Sequence, residues 1–344
     1  MALERERRAT LVVALAMALW ISGAMRAEAQ FKVGFYSQSC PRAEAIVKEE
    51  IEKALADDEG VGADLLRMHF HDYFVRILIA LLVVIITVTG LINPIALVLY
   101  DQGCDGSILL DSTNTAEKDA QINLTLEGFD IIDDVKEKLE AACKGVVSCA
   151  DLLAFAARDA VAHYGGIHYE VPSGRRDGRI SVASDTDILP SPDFKLSKLT
   201  DLFVSKGLSQ SEMIVLSGAH TVGIAHCDAF SKRLDSADPR MDVKYAAALR
   251  KQCPPGSNNT VSMDPHSPHK FDNHYYRLVL DSRGLFTSDD TLLSAWSTAA
   301  QVKWLACDFK GFQREFEAAI VKMGAIGVLT GYGGEVRTNC RVVN

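Results

Sequence analysis

The chain is expected to be mainly α. Three observations predict this: six stretches carry apolar residues at helical spacing, alternating strand patterns are few, and no Gly/Ser-rich linker, internal repeat or low-complexity tract divides the 344 residues. In Ala43–Ala56, Ile46, Val47, Ile51 and Leu55 return to one helical face. Gly62–Val75 does the same with Leu65, Leu66, Phe70 and Phe74, and Phe129–Ala142 with Phe129, Ile132, Val135 and Leu139. Ala150–Tyr164 is amphipathic at the same spacing. Leu196–Lys206 carries Leu196, Leu199 and Phe203, and Phe312–Met323 carries Phe312, Phe316, Ile320 and Met323. Each wants a partner for its apolar stripe, so the helices must pack on one another.

Residues 1–29 read as a secretory signal. Arg5, Arg7 and Arg8 precede an apolar run from Leu11 to Ile21, and Ala27-Glu28-Ala29 is a small-x-small cleavage site before Gln30. Residues 30–344 then suit two average domains or one larger one. A formal net charge of −9 leaves no basic patch for nucleic acid. Eight cysteines in an exported chain imply a disulfide framework, although their number fixes no pairing.

Arg67 and His71 lie four residues apart in Ala63-Asp64-Leu65-Leu66-Arg67-Met68-His69-Phe70-His71-Asp72. A helix stacks them on one face, about one turn apart. A base beside a permanent cation suits chemistry that moves a proton off one oxygen while charge grows on another. His69, two residues from His71, is on a different face, so the two histidines do not easily share a metal. A second constellation, Leu216-Ser217-Gly218-Ala219-His220-Thr221-Val222-Gly223, lies far downstream.

With that segment the chain resembles the secreted plant haem peroxidases of class III. The resemblance runs through Leu66 to Val75, Gly103-Cys104-Asp105-Gly106-Ser107-Ile108-Leu109-Leu110, Val147-Ser148-Cys149-Ala150-Asp151, Gly174-Arg175-Arg176-Asp177 and Ser217 to Gly223. It continues in Phe271-Asp272-Asn273, Tyr275-Tyr276, Lys322-Met323-Gly324, Gly334, Arg337, Asn339 and Cys340. It implies two helical lobes sandwiching one haem b, few short strands, and one peroxidase domain over 30–344.

The same resemblance implies roles. His220 would be the proximal haem ligand with Asp289 as its carboxylate partner, and Phe70 would lie against the cofactor. His71 would be the distal base, Arg67 would stabilise charge as the peroxide bond opens, and Asn123 would hold His71 in its basic tautomer. Pro190 would mark the entrance for small phenolic donors. Two calcium ions are implied: a proximal one on Thr221, Asp264, Ser267, Asp272 and the Lys270 carbonyl, and a distal one on Asp72, Asp105, Ser107 and the carbonyls of Val75 and Gly103. Asp151 and Arg175 read as a structural ion pair. The implied disulfides are Cys40 with Cys143, Cys149 with Cys340 and Cys227 with Cys253. The implied protein reduces hydrogen peroxide at the expense of phenols, works as a monomer, and resides in the cell wall, apoplast or vacuole. Of two sequons, Asn258-Asn259-Thr260 suits a glycan better than Asn123-Leu124-Thr125, whose asparagine would face the distal pocket.

Three features depart from the family. Tyr73 stands where a cysteine is expected and orphans Cys104; Cys307 is additional, and a bridge between Cys104 and Cys307 has no geometric support in the sequence. Arg76 to Gln102 occupies a gap where the family has one residue, and Ile77 to Tyr100 contains no charge. Its length would cross a bilayer as a helix, but one crossing would put His71 and His220 on opposite sides. Gly90 and Asn93-Pro94 offer turns that fold the segment back. It reads first as translated intron or another gene-model artefact, and otherwise as an insertion such as a membrane-associating hairpin. The disrupted loop also admits a second function, a peroxidase-fold protein without turnover that binds at a wall or membrane.

Overall fold

The computed structural model describes residues 31–75, 79–86, 92–100, 103–112, 114–235 and 238–344. The expected signal at 1–29 lies outside them, as do Arg76 and Gln102. Twelve α-helices and four strands are found among the described residues, with several 3-10 turns and longer loops between them. The amphipathic stretches become α1 (Ala43–Asp57), α2 (Val61–Phe74), α3 (Phe129–Ala142), α4 (Cys149–His163), α5 (Leu196–Ser205) and α12 (Phe309–Met323). The sequence pattern did not single out α6 (Gln210–Leu216), α7 (Ser231–Asp235), α8 (Val243–Gln252), α9 (His274–Leu280), α10 (Thr287–Asp290) and α11 (Trp296–Cys307).

The helices fall into two packed groups. In the first, α1, α2 and α3 surround α4, whose residues from Cys149 to Val161 are all buried. Ser148 starts α4 by accepting the Asp151 amide at 3.1 Å, and Tyr164 ends it. In the second, α6 lies against α5, α11 and α12, and α9 lies against α11. One continuous hydrophobic core joins both groups, through residues such as Leu65, Phe155, Leu216, Tyr276 and Phe312. A satellite core gathers Phe230, Leu234, Leu249, Val261 and Leu285 under strands β3 (Ile224–His226) and β4 (Thr260–Ser262), which pair antiparallel. Gly218 shows how tightly the second group packs: a Cβ there would stand 2.5 Å from the Phe312 ring and 2.6 Å from the Tyr276 hydroxyl.

The apolar segment is not a helix. Ile79–Ile86 (β1) and Ile92–Tyr100 (β2) pair antiparallel from Ile79↔Tyr100 to Ile86↔Ile92, with the register shifting between Val83 and Val84. Pro94 faces Val84 inside the ladder, so Asn93-Pro94 is part of a strand and not the turn; Gly90 lies outside the described residues. A register shift at a proline is expected, because its nitrogen donates nothing to a ladder. Among the described residues no helix is long and apolar enough to cross a membrane.

The three implied disulfides are formed: Cys40–Cys143, Cys149–Cys340 and Cys227–Cys253. Cys104 is free and buried, and Cys307 is free and exposed, so no bridge joins them. Tyr73 is buried, with its hydroxyl donating to Lys206 O at 2.5 Å. Arg175 Nη1 donates to Asp151 Oδ1 at 2.8 Å, both side chains are buried, and Tyr36 Oη completes the carboxylate at 2.7 Å. That buried pair has its remaining hydrogen bonds satisfied, as a structural ion pair must.

Candidate active site

Helix α2 presents Arg67, His71 and Asp72 along its C-terminal half and stops at Phe74, where Val75 turns extended. His71 is buried. Its Nδ1 lies 2.6 Å from Asn123 Oδ1, and Asn123 Nδ2 donates to Glu117 O at 2.8 Å. The Glu117 carbonyl can only accept, which assigns the amide nitrogen to it and the amide oxygen to the histidine. His71 Nδ1 therefore carries the proton and Nε2 carries the lone pair. Burial, reinforced by the nearby Arg67 charge and opposed by the Asn123 hydrogen bond, pulls the His71 pKa down to about 3. Arg67 is held by Thr125 Oγ1 at 3.0 Å and Ile122 O at 2.8 Å, on the loop that carries Asn123. Phe70 is half-buried, its ring 4.6 Å from Phe74 and 6.0 Å from His71.

His220 sits in the tight turn Ser217–Thr221 after α6, in the other helical group. Its Nδ1 lies 2.8 Å from Asp289 Oδ1, and the same oxygen accepts the Tyr275 hydroxyl at 2.9 Å. Asp289 Oδ2 accepts the Phe286 amide at 2.9 Å. Burial alone would raise the Asp289 pKa, but His220 and these hydrogen bonds prevail and hold it below the usual range. An ionised Asp289 accepts the hydrogen bond of Nδ1–H, and among the described residues no hydrogen bond engages Nε2 of the half-exposed ring. Tyr275 and Phe286 fix the ring plane edge-on, with centroids at 5.7 and 5.4 Å.

Residues 47–308 match the family model described as Peroxidase. The chain belongs to the peroxidase family. It is 51% identical over 330 residues to Peroxidase 5 of Vitis vinifera, with 92% of both chains covered. It is 44% identical over 347 residues to Peroxidase 1 of Oryza sativa subsp. japonica, covering 96% of this chain and 98% of the relative. It is also 44% identical over 323 residues to Peroxidase 56 of Arabidopsis thaliana, covering 91% and 90%. This peroxidase is thus an enzyme of the same family on a mainly α fold.

Two oxygen clusters flank the histidines of this peroxidase. In the distal one, Asp72 accepts the amides of Gly106 and Ile108 at 3.0 and 3.4 Å, and Asp105 accepts the Ser107 amide at 3.1 Å. Gly106 makes this possible with a left-handed φ of 66°, where a Cβ would meet the Arg337 guanidinium at 2.7 Å. Glu117, whose part the sequence did not disclose, is fully buried and accepts the Ser107 hydroxyl at 3.2 Å through Oε2, while its Oε1 has no hydrogen-bond partner among the described residues. Burial and the neighbouring Asp105 charge push Asp72 up to about 7; burial likewise raises Asp105 and lifts Glu117 well above its ordinary value. Val75 and Gly103 border the cluster, their amides donating to His71 O at 3.1 Å and Gly327 O at 3.3 Å.

In the proximal cluster Thr221 Oγ1 meets Asp272 Oδ1, and Ser267 Oγ meets both Asp264 Oδ2 and Asp272 Oδ2, each at 3.2 Å. The Lys270 amide donates to Ser267 O, and its ammonium lies 3.9 Å from Asp272. His274 Nδ1, absent from the implied set, is 2.7 Å from Asp264 Oδ2. Among the described residues, no three His, Cys, Asp or Glu side chains converge as metal ligands. An ion here would draw on hydroxyl and carbonyl oxygens as well, which is how calcium is commonly held. Pro190 is half-buried in the loop after Leu189, and Pro192 O accepts the Ser288 amide at 2.9 Å, tying this loop to the turn that carries Asp289.

Proposed function

We propose that residues 30–344 form a secreted, monomeric haem peroxidase that reduces hydrogen peroxide to water and oxidises small phenols one electron at a time. The observation that carries this reading is the orientation of Asn123 between Glu117 O and His71, which leaves His71 a neutral base with its lone pair on Nε2. His220 would suit a haem-iron ligand: a partly exposed ring, and a carboxylate that holds Nδ1–H and so turns Nε2 outward. Haem held there would supply a redox-active iron and, as a whole group, the two electrons needed to open an oxygen–oxygen bond.

The rest is done by this chain. His71 Nε2 accepts the proton from one peroxide oxygen and delivers it to the other, so that the departing oxygen leaves as water. Arg67, fixed by Thr125 and Ile122, places its charge where negative charge grows. Two phenols entering past Pro190 each lose one electron and one proton, which completes the second water. The distal oxygen cluster would hold one calcium and brace the end of α2; its orphaned Glu117 Oε1 and three buried carboxyls suit a bound cation. The proximal cluster would hold another beside His220. The test is rapid mixing of haem-loaded protein with peroxide: His71→Ala is expected to keep haem and slow peroxide cleavage by several orders of magnitude. An unchanged rate overturns the role of His71.

A further inference from the structure

We infer that Arg233 is a positioning residue for His220, acting through the loop 284–286. This rests on the reading of His220 as the haem-iron ligand. Arg233 in α7 is buried, and its Nη1 donates to three consecutive carbonyls: Gly284 O at 2.8 Å, Leu285 O at 3.0 Å and Phe286 O at 2.8 Å. Those peptides carry the two contacts that orient the histidine. The Phe286 amide holds Asp289 Oδ2, and the Phe286 ring stands edge-on to His220. Gly284 lets the loop close on the carboxylate, since a Cβ there would lie 2.7 Å from Asp289 Cβ.

The charge arrangement acts in the same direction. Arg233 Nε donates to Asp238 Oδ2 at 3.0 Å, and its Nη2 lies 3.8 Å from Asp290 Oδ1. Arg240 reaches Asp290 Oδ2 at 2.8 Å and Asp238 Oδ2 at 3.2 Å. Two guanidinium groups thus answer Asp238 and Asp290, and the neighbouring Asp289 is left to serve His220 and Tyr275. A planar fork that meets several acceptors at once suits this task, and a lysine would meet fewer. Loss of the clamp frees Asp289 to drift, weakens its bond to Nδ1, and makes the imidazole a poorer donor to a ferric iron.

The experiment uses the full chain with and without haem, in the wild type, Arg233→Met, Arg233→Lys and Asp289→Asn. In haem-free Arg233→Met, amides 284–290 are expected to exchange roughly tenfold faster with solvent. With haem, the ferrous iron–histidine vibration is expected to fall in frequency and the ferric/ferrous equilibrium to move toward ferrous by roughly tenfold, about 59 mV for one electron. Arg233→Lys should lie between wild type and Arg233→Met, and it is the variant to read if Arg233→Met does not accumulate. Asp289→Asn sets the largest shift. A melting temperature that falls while exchange, vibration and potential stay at wild-type values overturns the inference. A wild type that lacks the iron–histidine vibration overturns the reading of His220 and this inference together.

Discussion

Asn123 reaches His71 with its oxygen because its nitrogen is already committed to the Glu117 carbonyl. One amide therefore decides which imidazole nitrogen is basic. Asn123→Val is expected to keep haem content and slow peroxide cleavage by roughly tenfold to a hundredfold, a range usual for a lost orienting partner. A single-turnover rate equal to wild type would show that His71 needs no such partner.

The proximal histidine should behave differently. His220→Ala is expected to abolish stable haem retention, measured as the haem absorbance that survives gel filtration. Normal haem content in that variant would remove His220 from the ligand role.

Acidity gives an independent check on His71. With a pKa drawn down to about 3 by burial, the base stays neutral across the ordinary range. Peroxide cleavage is therefore expected to be nearly flat from roughly pH 5 to 8 and to fall only as pH drops toward about 3. Stability runs the same way. An unfolded histidine titrates near 6.5, so between there and about 3 the unfolded chain takes up a proton that native His71 refuses, and acidification destabilises the fold by a few kcal/mol. A single acid limb near pH 6.5 in the peroxide step would contradict this assignment.

The distal loop can be tested by excision. Removing residues 77–102 is expected to raise the melting temperature and the calcium affinity, because the two edges of the Asp72 and Asp105 cluster are then joined directly. Adding Tyr73→Cys should bring no further gain. A disulfide closing so small a ring is worth about 2 kcal/mol, whereas truncating a large buried aromatic costs about 3–5 kcal/mol. Calorimetry with and without a calcium chelator separates these outcomes, and a shortened chain no more stable than the parent would mean that the hairpin is fully accommodated.

Glycan occupancy follows from exposure. Asn258 lies in an exposed loop, while Asn123 is buried with both ends of its amide engaged. Peptide mass spectrometry of protein secreted from a eukaryotic host is expected to find sugar on Asn258 and none on Asn123.

Much of this architecture is written in local pattern. The stripe of Phe129, Ile132, Val135 and Leu139 marks α3 to the residue, because a core-facing helix must repeat at its own period. Helix α11 escapes the same reading: its apolar residues lie on several faces, with Trp296 and Trp304 pointing outward. The histidine partners were legible through motifs, yet Glu117 and Arg233 were not. Each is an ordinary charged residue in sequence, and its part appears only when distant segments meet. The turn assigned to Asn93-Pro94 failed for a related reason, since a proline at a shifted register tolerates a strand.

Arg337 and Cys340 close the lobe that begins with α1. Arg337 is buried, donating to Gly106 O at 2.6 Å and Cys340 O at 2.9 Å, and its amide meets Asp177 Oδ2 at 2.8 Å, while Cys340 is bonded to Cys149 across 191 positions. A chain emerging from its N-terminus outward therefore cannot finish the lobe that bears His71 until Arg337 and Cys340 have been made. Contacts of such long range are slow to form. During that wait the apolar strands β1 and β2 are already outside the ribosome, so production of this enzyme depends on keeping an unfinished lobe from associating with its neighbours.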